Sequence, residues 1–276
     1  MLKLRLITAA ILIPFLVGSV IWLPDSYFTL LFGVFAAIGS WEWTKFARLQ
    51  QILPRLAYTI FFIVVLVLCW RYVLIDVSFI FAGLSLGFIW WLAALVLVVL
   101  YPRYESLRNN RFIVGLIGLL VLTPCWLAIV VLRNQYEHGI SLVLFLLALI
   151  AVADSGAYFG GRKWGANKLA PQVSPGKSWE GVISGLVCVA VLAMVCFGLL
   201  GLNGQDWQTV ALFVVVSLFT AMFSILGDLT ESMFKRHVGI KDSGSILPGH
   251  GGVLDRIDSI TAAAPVFVVC MWVFFK

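Results

Sequence analysis

Apolar residues run along this chain in long unbroken stretches, not in the alternation of a strand or the one-sided stripe of a surface helix. Nine stretches can be marked, at roughly 5–23, 27–47, 56–75, 78–101, 112–132, 138–160, 180–201, 208–233 and 253–275. Each is close to the roughly 20 residues that a helix needs to cross a bilayer. The pattern predicts an all-α polytopic membrane protein with about nine transmembrane helices, forming a single membrane-embedded unit over residues 1–276. The second, sixth, eighth and ninth stretches are less purely apolar than the rest. The first follows Lys3 and Arg5 as a signal peptide would, but no A-x-A-like cleavage site follows Val20, so it reads as a retained anchor.

Composition supports the same class. Of 276 residues, 62 % are hydrophobic and 12 % charged, against about 25 % charged in an ordinary soluble domain. The mean hydropathy is +1.05. That excludes a water-soluble globular protein, a disordered chain, a secreted disulfide scaffold and a nucleic-acid binder. The five cysteines, Cys69, Cys125, Cys188, Cys196 and Cys270, sit in apolar runs without metal-ligand spacing and read as small core hydrophobes.

The net charge of +6 reports orientation before it reports cargo. With nine spans, 16 of the 19 Lys and Arg residues fall on the side of the N-terminus, and only Arg71, Arg133 and Lys276 on the other. Basic loops stay in the cytoplasm. The N-terminus is therefore expected in the cytoplasm and the C-terminus on the opposite side. Trp22, Trp70 and Trp207 fall near span ends, as an interfacial aromatic belt requires.

The acids are unevenly spread. Residues 1–150 hold five of 13 and read mainly as scaffold spans, whereas 151–260 hold the other eight. Residues 151–276 are thus the candidate catalytic half. Four stretches there carry chemistry. In Ala153–Arg162, Asp154 lies in an apolar span, where insertion costs about 2.5–3.5 kcal/mol, so it must face protein, water or a cation. Gly156 and Gly160 in the same stretch fit close helix packing. In Ser174–Gly181, Gly-Lys-Ser suggests a Walker A loop, but the position that needs glycine is Pro171 and no strand is expected before it. What survives is Lys177, a hydroxyl and free N–H groups before a helix: either an anion site or a Ser178 cap.

In Gly227–Arg236, Asp228, Glu231, Ser232 and Lys235 share one helix face. Either an internal salt bridge or a ligand site explains them. In Lys241–Asp258, glycines that let backbone N–H groups approach an anion lead into a helix opening with Asp255 and Asp258. His250 within it reads as structural. Acids, basic residues and a glycine loop beside a membrane suit metal-dependent phosphate transfer, since Mg²⁺ takes carboxylate and phosphate oxygens and Lys and Arg neutralise the remaining charge. There is no Cys/His cluster for zinc and no GxSxG elbow.

The stretch Ser232–Asp258, S-M-F-K-R-H-V-G-I-K-D-S-G-S-I-L-P-G-H-G-G-V-L-D-R-I-D, resembles position by position the signature of the phosphatidate cytidylyltransferases, or CDP-diacylglycerol synthases. Ser174–Gly181 and Asp154–Gly161 resemble that family too. The resemblance covers about 110 residues. It implies transfer of the cytidylyl group of CTP to phosphatidic acid, Mg²⁺ with a second cation beside it, a site facing the cytoplasm in the inner membrane, and a homodimer. It also implies Asp228 and Asp255 as metal ligands; the mechanism drawn from it holds Asp154 and Asp258 as second choices. Lys177, Ser178, Lys235, Arg236, Lys241, Arg256, Gly251 and Gly252 are then the substrate-binding set, with Asp228, Asp255, Lys241 and Arg256 carrying catalysis. Two rival readings remain: a CTP-dependent kinase of an isoprenoid alcohol, which releases CDP, and a cation-coupled transporter, which needs polar groups at the midplane.

Overall fold

The computed structural model describes residues 2–73, 77–199, 207–249 and 251–275, without the side chains of 2–7, 73, 77 and 199. His250 and Lys276 therefore lie outside the described residues, as does the predicted end of the seventh stretch at 201, and nothing is said of the Lys3 and Arg5 side chains.

The described residues fold almost entirely into helices. Nine long ones overlie the nine predicted stretches: α1 (Leu2–Trp22), α2 (Asp25–Trp43), α3 (Ile52–Val73), α4 (Val77–Val99), then, after a short α5 (Glu105–Asn109), α6 (Arg111–Gln135), α7 (Gly139–Trp164), α8 (Trp179–Leu199), α9 (Trp207–Val238) and α10 (Leu254–Phe274). Seven of these, α3, α4 and α6–α10, are long and apolar enough to cross a membrane. The protein is a polytopic membrane protein.

Helix α6 forms the middle of the bundle, touching α2, α3, α4, α7 and α10. Asn110 caps it, its Oδ1 accepting from Phe112 N at 3.0 Å and Ile113 N at 3.2 Å. Its buried residues, Leu127, Ala128, Val130 and Leu132 among them, are apolar. Large apolar side chains on α3 (Ile60, Phe61, Val64) and α8 (Val187, Val191, Val195) are exposed, as expected where lipid takes the place of water. Three of the cysteines are buried as expected, but Cys188 is exposed on α8 and Cys196 half-buried. A small apolar residue fits a lipid face as well as a core, so the periodicity-free run could not tell the two apart.

Helices α7 and α8 pack closely. A Cβ on Gly160 would overlap the Ser184 side chain, so a small residue is needed there. The connection between them corrects the all-helical expectation. Residues 168–178 form an antiparallel hairpin of β1 (Lys168–Ala170) and β2 (Ser174–Ser178). Lys168 pairs with Ser178 and Ala170 with Ser174, with a register shift between them, so the loop expected before α8 is instead a small two-stranded platform.

The loops rich in basic residues meet at one end of the bundle. Lys45 Nζ donates to Ser243 O at 2.5 Å, Arg48 to His237 O at 3.4 Å and Arg236 Nε to Val173 O at 3.3 Å. His237 in turn lies 3.1 Å from Asn109 Oδ1. At the other end Arg133 pairs with Asp25 at 3.1 Å and donates to Val20 O at 3.2 Å. The long α9 reaches the basic end. Its 32 residues measure about 48 Å at 1.5 Å each, against roughly 30 Å of hydrocarbon. Its charged side chains all lie in the C-terminal part, Asp228–Val238.

Candidate active site

At the basic end, α7, β2, α9 and α10 converge, and each delivers charged side chains. Lys177 from β2 meets Asp228 from α9, Nζ to Oδ2 at 2.6 Å. Ser232, one turn on, donates to Asp228 Oδ1 at 3.2 Å. Asp154 of α7 lies within electrostatic range of both Lys177 and Asp228. Lys235, two turns from Asp228 on the same helix, bridges Glu231 Oε2 at 3.0 Å and Asp255 Oδ1 at 2.8 Å. The internal salt bridge considered for this face therefore exists, but it is made by Lys235 and reaches across to α10. Arg236 takes no part in it and instead holds the β-hairpin turn at Val173.

Asp255 is almost fully occupied. Beyond Lys235 on Oδ1, its Oδ2 accepts from Ser243 N at 2.9 Å, Ser243 Oγ at 2.9 Å and Gly252 N at 2.8 Å. Asp258 accepts from Ser259 N at 2.7 Å, faces Glu231 and lies within electrostatic range of Asp228. Glu231 Oε1 is buried there with no hydrogen-bond partner.

The substrate-binding candidates divide. Ser178 is buried and caps α8, its Oγ accepting from Gly181 N at 3.2 Å. Gly252 spends its N–H on Asp255. Gly251 sits at φ +82° and accepts from Leu247 N at 2.9 Å. Lys241, Gly251 and Arg256, with Asp242, Gly244 and Ser245, line an open polar cavity of about 510 Å³. Beside it, between α1, α2, α6, α7 and α10, lies an apolar cavity of about 310 Å³ whose charged lining residues are Asp154 and Arg256. Leu247 and Arg256 line both. A further cavity of about 530 Å³ beneath the hairpin is lined by no charged side chain.

Five carboxyl groups thus share this region with the ammonium groups of Lys177 and Lys235. Among the described residues, no three Asp, Glu, His or Cys side chains are gathered tightly enough to hold a metal. The chemistry of the donor set nevertheless fits a hard divalent cation. It is all oxygen, acids outnumber the two lysines, and one buried carboxylate oxygen is unpartnered.

A sequence profile of the cytidylyltransferase family matches residues 3–274. The chain belongs to the cytidylyltransferase family. It is 42 % identical to the phosphatidate cytidylyltransferase of Haemophilus influenzae, over 97 % of each chain. It is also 42 % identical to that of Pseudomonas aeruginosa, over 99 % of this chain and 97 % of the relative. To the phosphatidate cytidylyltransferase of Bacillus subtilis it is 35 % identical, over 96 % and 95 %. Family membership implies a cation-dependent reaction. In this cytidylyltransferase, sequence reasoning missed the contribution of α2. Glu42 and Lys45 both bond to the glycine-rich loop before α10. The signal available was a lone acid in an apolar stretch.

Proposed function

We propose that this chain transfers the cytidylyl group of CTP to phosphatidic acid, giving CDP-diacylglycerol and pyrophosphate. The observation that carries this reading is the meeting of a polar and an apolar cavity at Arg256, beside a cluster of acids. One cavity suits a triphosphate; the other suits an acyl chain whose phosphate stays at its charged mouth. The names of the relatives support the same substrates.

In the reaction an oxygen of the phosphatidate phosphate attacks the α-phosphorus of CTP in line. The new P–O bond forms as the bond to the β-phosphate bridging oxygen breaks, and pyrophosphate leaves with that electron pair. The second pKa of a phosphomonoester is near 6, so the nucleophile is already anionic at neutral pH and needs no strong base. The barrier lies in bringing two polyanions together. Lys241 and Arg256 flank the polar cavity and offset the phosphate charge. Lys177 and Lys235 hold Asp228 and Asp255 in place.

Asp228 and Asp255 would hold Mg²⁺ through the oxygens that Lys177 and Lys235 occupy, the ion taking the place of those ammonium groups, with Asp154 and Asp258 beside them. Glu231, whose Oε1 is buried and unpartnered, would offer an oxygen to a second cation. When bound, the divalent ion supplies charge neutralisation and alignment of the phosphates. The proposed setting is the inner membrane, with nine spans, the N-terminus and the site in the cytoplasm, and the C-terminus outside. The convergence of the basic loops at one end supports that orientation. The catalytic half is 151–276, carried on 1–150 as scaffold, and the working unit is a homodimer, which light scattering of the detergent-solubilised protein reads directly.

The deciding experiment incubates purified protein in detergent with labelled CTP, phosphatidic acid and Mg²⁺. Labelled CDP-diacylglycerol with one pyrophosphate per turnover is expected. CDP release with a phosphorylated alcohol would establish the kinase instead, and ion flux in proteoliposomes without CTP turnover a transporter.

A further inference from the structure

Glu42 stands in the half of the molecule read as scaffold, at the last turn of α2, and is only 1 % exposed. A carboxylate is costly to bury unless its oxygens are well partnered. The partners come from the glycine-rich loop and the start of α10. Oε1 accepts from Val253 N at 3.2 Å, and Oε2 from Leu254 N at 2.7 Å. Oε2 also lies 3.1 Å from Ser243 Oγ. Gly252 is pressed so closely against the carboxylate that a Cβ there would sit 2.5 Å from Oε2 and 2.6 Å from Oε1. Lys45, one turn on, donates to the carbonyl of the same Ser243.

Ser243 is fully buried, and its hydroxyl lies 2.9 Å from Asp255 Oδ2 as well. A hydroxyl has one proton to donate, and here two carboxylates, Glu42 and Asp255, face it. Glu42 is thereby linked through one side chain to the acid that binds Lys235. It also fixes the two backbone N–H groups at which the loop becomes α10, one residue before Asp255 and two before Arg256. An aliphatic residue at 42 would leave those N–H groups buried and unpaired. Glutamine would turn an amide donor on one of them.

We propose that Glu42 is a positioning residue for cytidylyl transfer. It fixes the positions of Ser243, Val253 and Leu254, and with them Asp255 and the lining of the polar cavity. The inference rests on the proposed reaction and adds to it a residue far outside the signature. Because the loop lines the polar cavity, a loosened loop should weaken the hold on nucleotide more than the hold on lipid.

The test measures CDP-diacylglycerol formation by the full chain in mixed micelles, varying CTP and phosphatidic acid separately, for wild type, Glu42→Gln and Ser243→Ala. Glu42→Gln is expected to raise KM for CTP about tenfold and lower kcat, leaving KM for phosphatidic acid within about twofold. Ser243→Ala should move the same constants in the same direction by less. A Glu42→Gln protein with wild-type constants overturns the proposal. So does a variant whose two KM values rise equally while its thermal midpoint falls, since that is the mark of general loosening. If Glu42→Gln does not fold, Ser243→Ala decides, and an unchanged KM for CTP overturns the proposal. A wild type that forms no CDP-diacylglycerol overturns the parent reading and this inference with it; an active wild type with indifferent variants overturns this inference alone.

Discussion

Helices α6 and α9 both lie deep in the bundle, yet between Val114 and Leu132 α6 carries no side chain more polar than Thr123, whereas α9 ends in Asp228, Glu231, Ser232, Lys235 and Arg236. Along that stretch the side chains of α6 make mainly dispersion contacts, small one by one, joined by a few bonds such as Trp126 Nε1 to Thr29 O at 3.2 Å. The contacts at the end of α9 are directional, and their partners come from β2, the hairpin turn at Val173 and α10. The first helix determines whether the bundle holds together. The second determines what the basic end can bind. Stability and chemistry are therefore expected to separate between α6 and the charged end of α9, and substitutions should sort accordingly.

The sharpest test of that separation is Asp228→Asn. Product formation from CTP and phosphatidic acid should fall by at least about 100-fold, with the thermal midpoint moved by no more than a few degrees. A variant that instead unfolds, or that turns over normally, breaks the contrast. Leu127→Ala in α6 should do the reverse. Its side chain is 2 % exposed, and truncation should cost about 2–5 kcal/mol in a detergent unfolding titration, with both KM values unchanged. Gly160→Leu should come between the two. The added side chain must displace Ser184, at about 1–3 kcal/mol, and the α7–α8 spacing that seats the hairpin should loosen enough to lower kcat measurably. Arg103→Glu, on an exposed loop, should change both rate and stability least, staying within about twofold in activity.

The helical fold was legible because a bilayer leaves a spanning segment little choice. Backbone groups must be satisfied within the helix, so long apolar runs such as 112–132 translate directly into helices such as α6. The hairpin at 168–178 was not legible. Its sequence, K-L-A-P-Q-V-S-P-G-K-S, has two prolines and no clean alternation, and its pairing depends on Trp179 N reaching Asn167 O at 2.9 Å and on Asn167 held by Glu180 at 2.7 Å. In the site, the common face of Asp228, Glu231 and Lys235 could be read from helical spacing. The Lys177–Asp228 pair could not, because nothing local in either segment names a partner on another element. Glu42 was hidden most deeply. Its three neighbours lie about 200 residues on, and only its charge in an apolar stretch set it apart.

The length of α9 has a consequence for how the lipid is handled. A rod half again as tall as the oily slab is long enough to carry its charged tip past that slab, to the level where phosphodiester and phosphomonoester groups already float. The substrate can then be met in place, its fatty tails still solvated by their neighbours, and the product released sideways into the same leaflet. No energy is spent pulling a water-insoluble molecule into the aqueous phase.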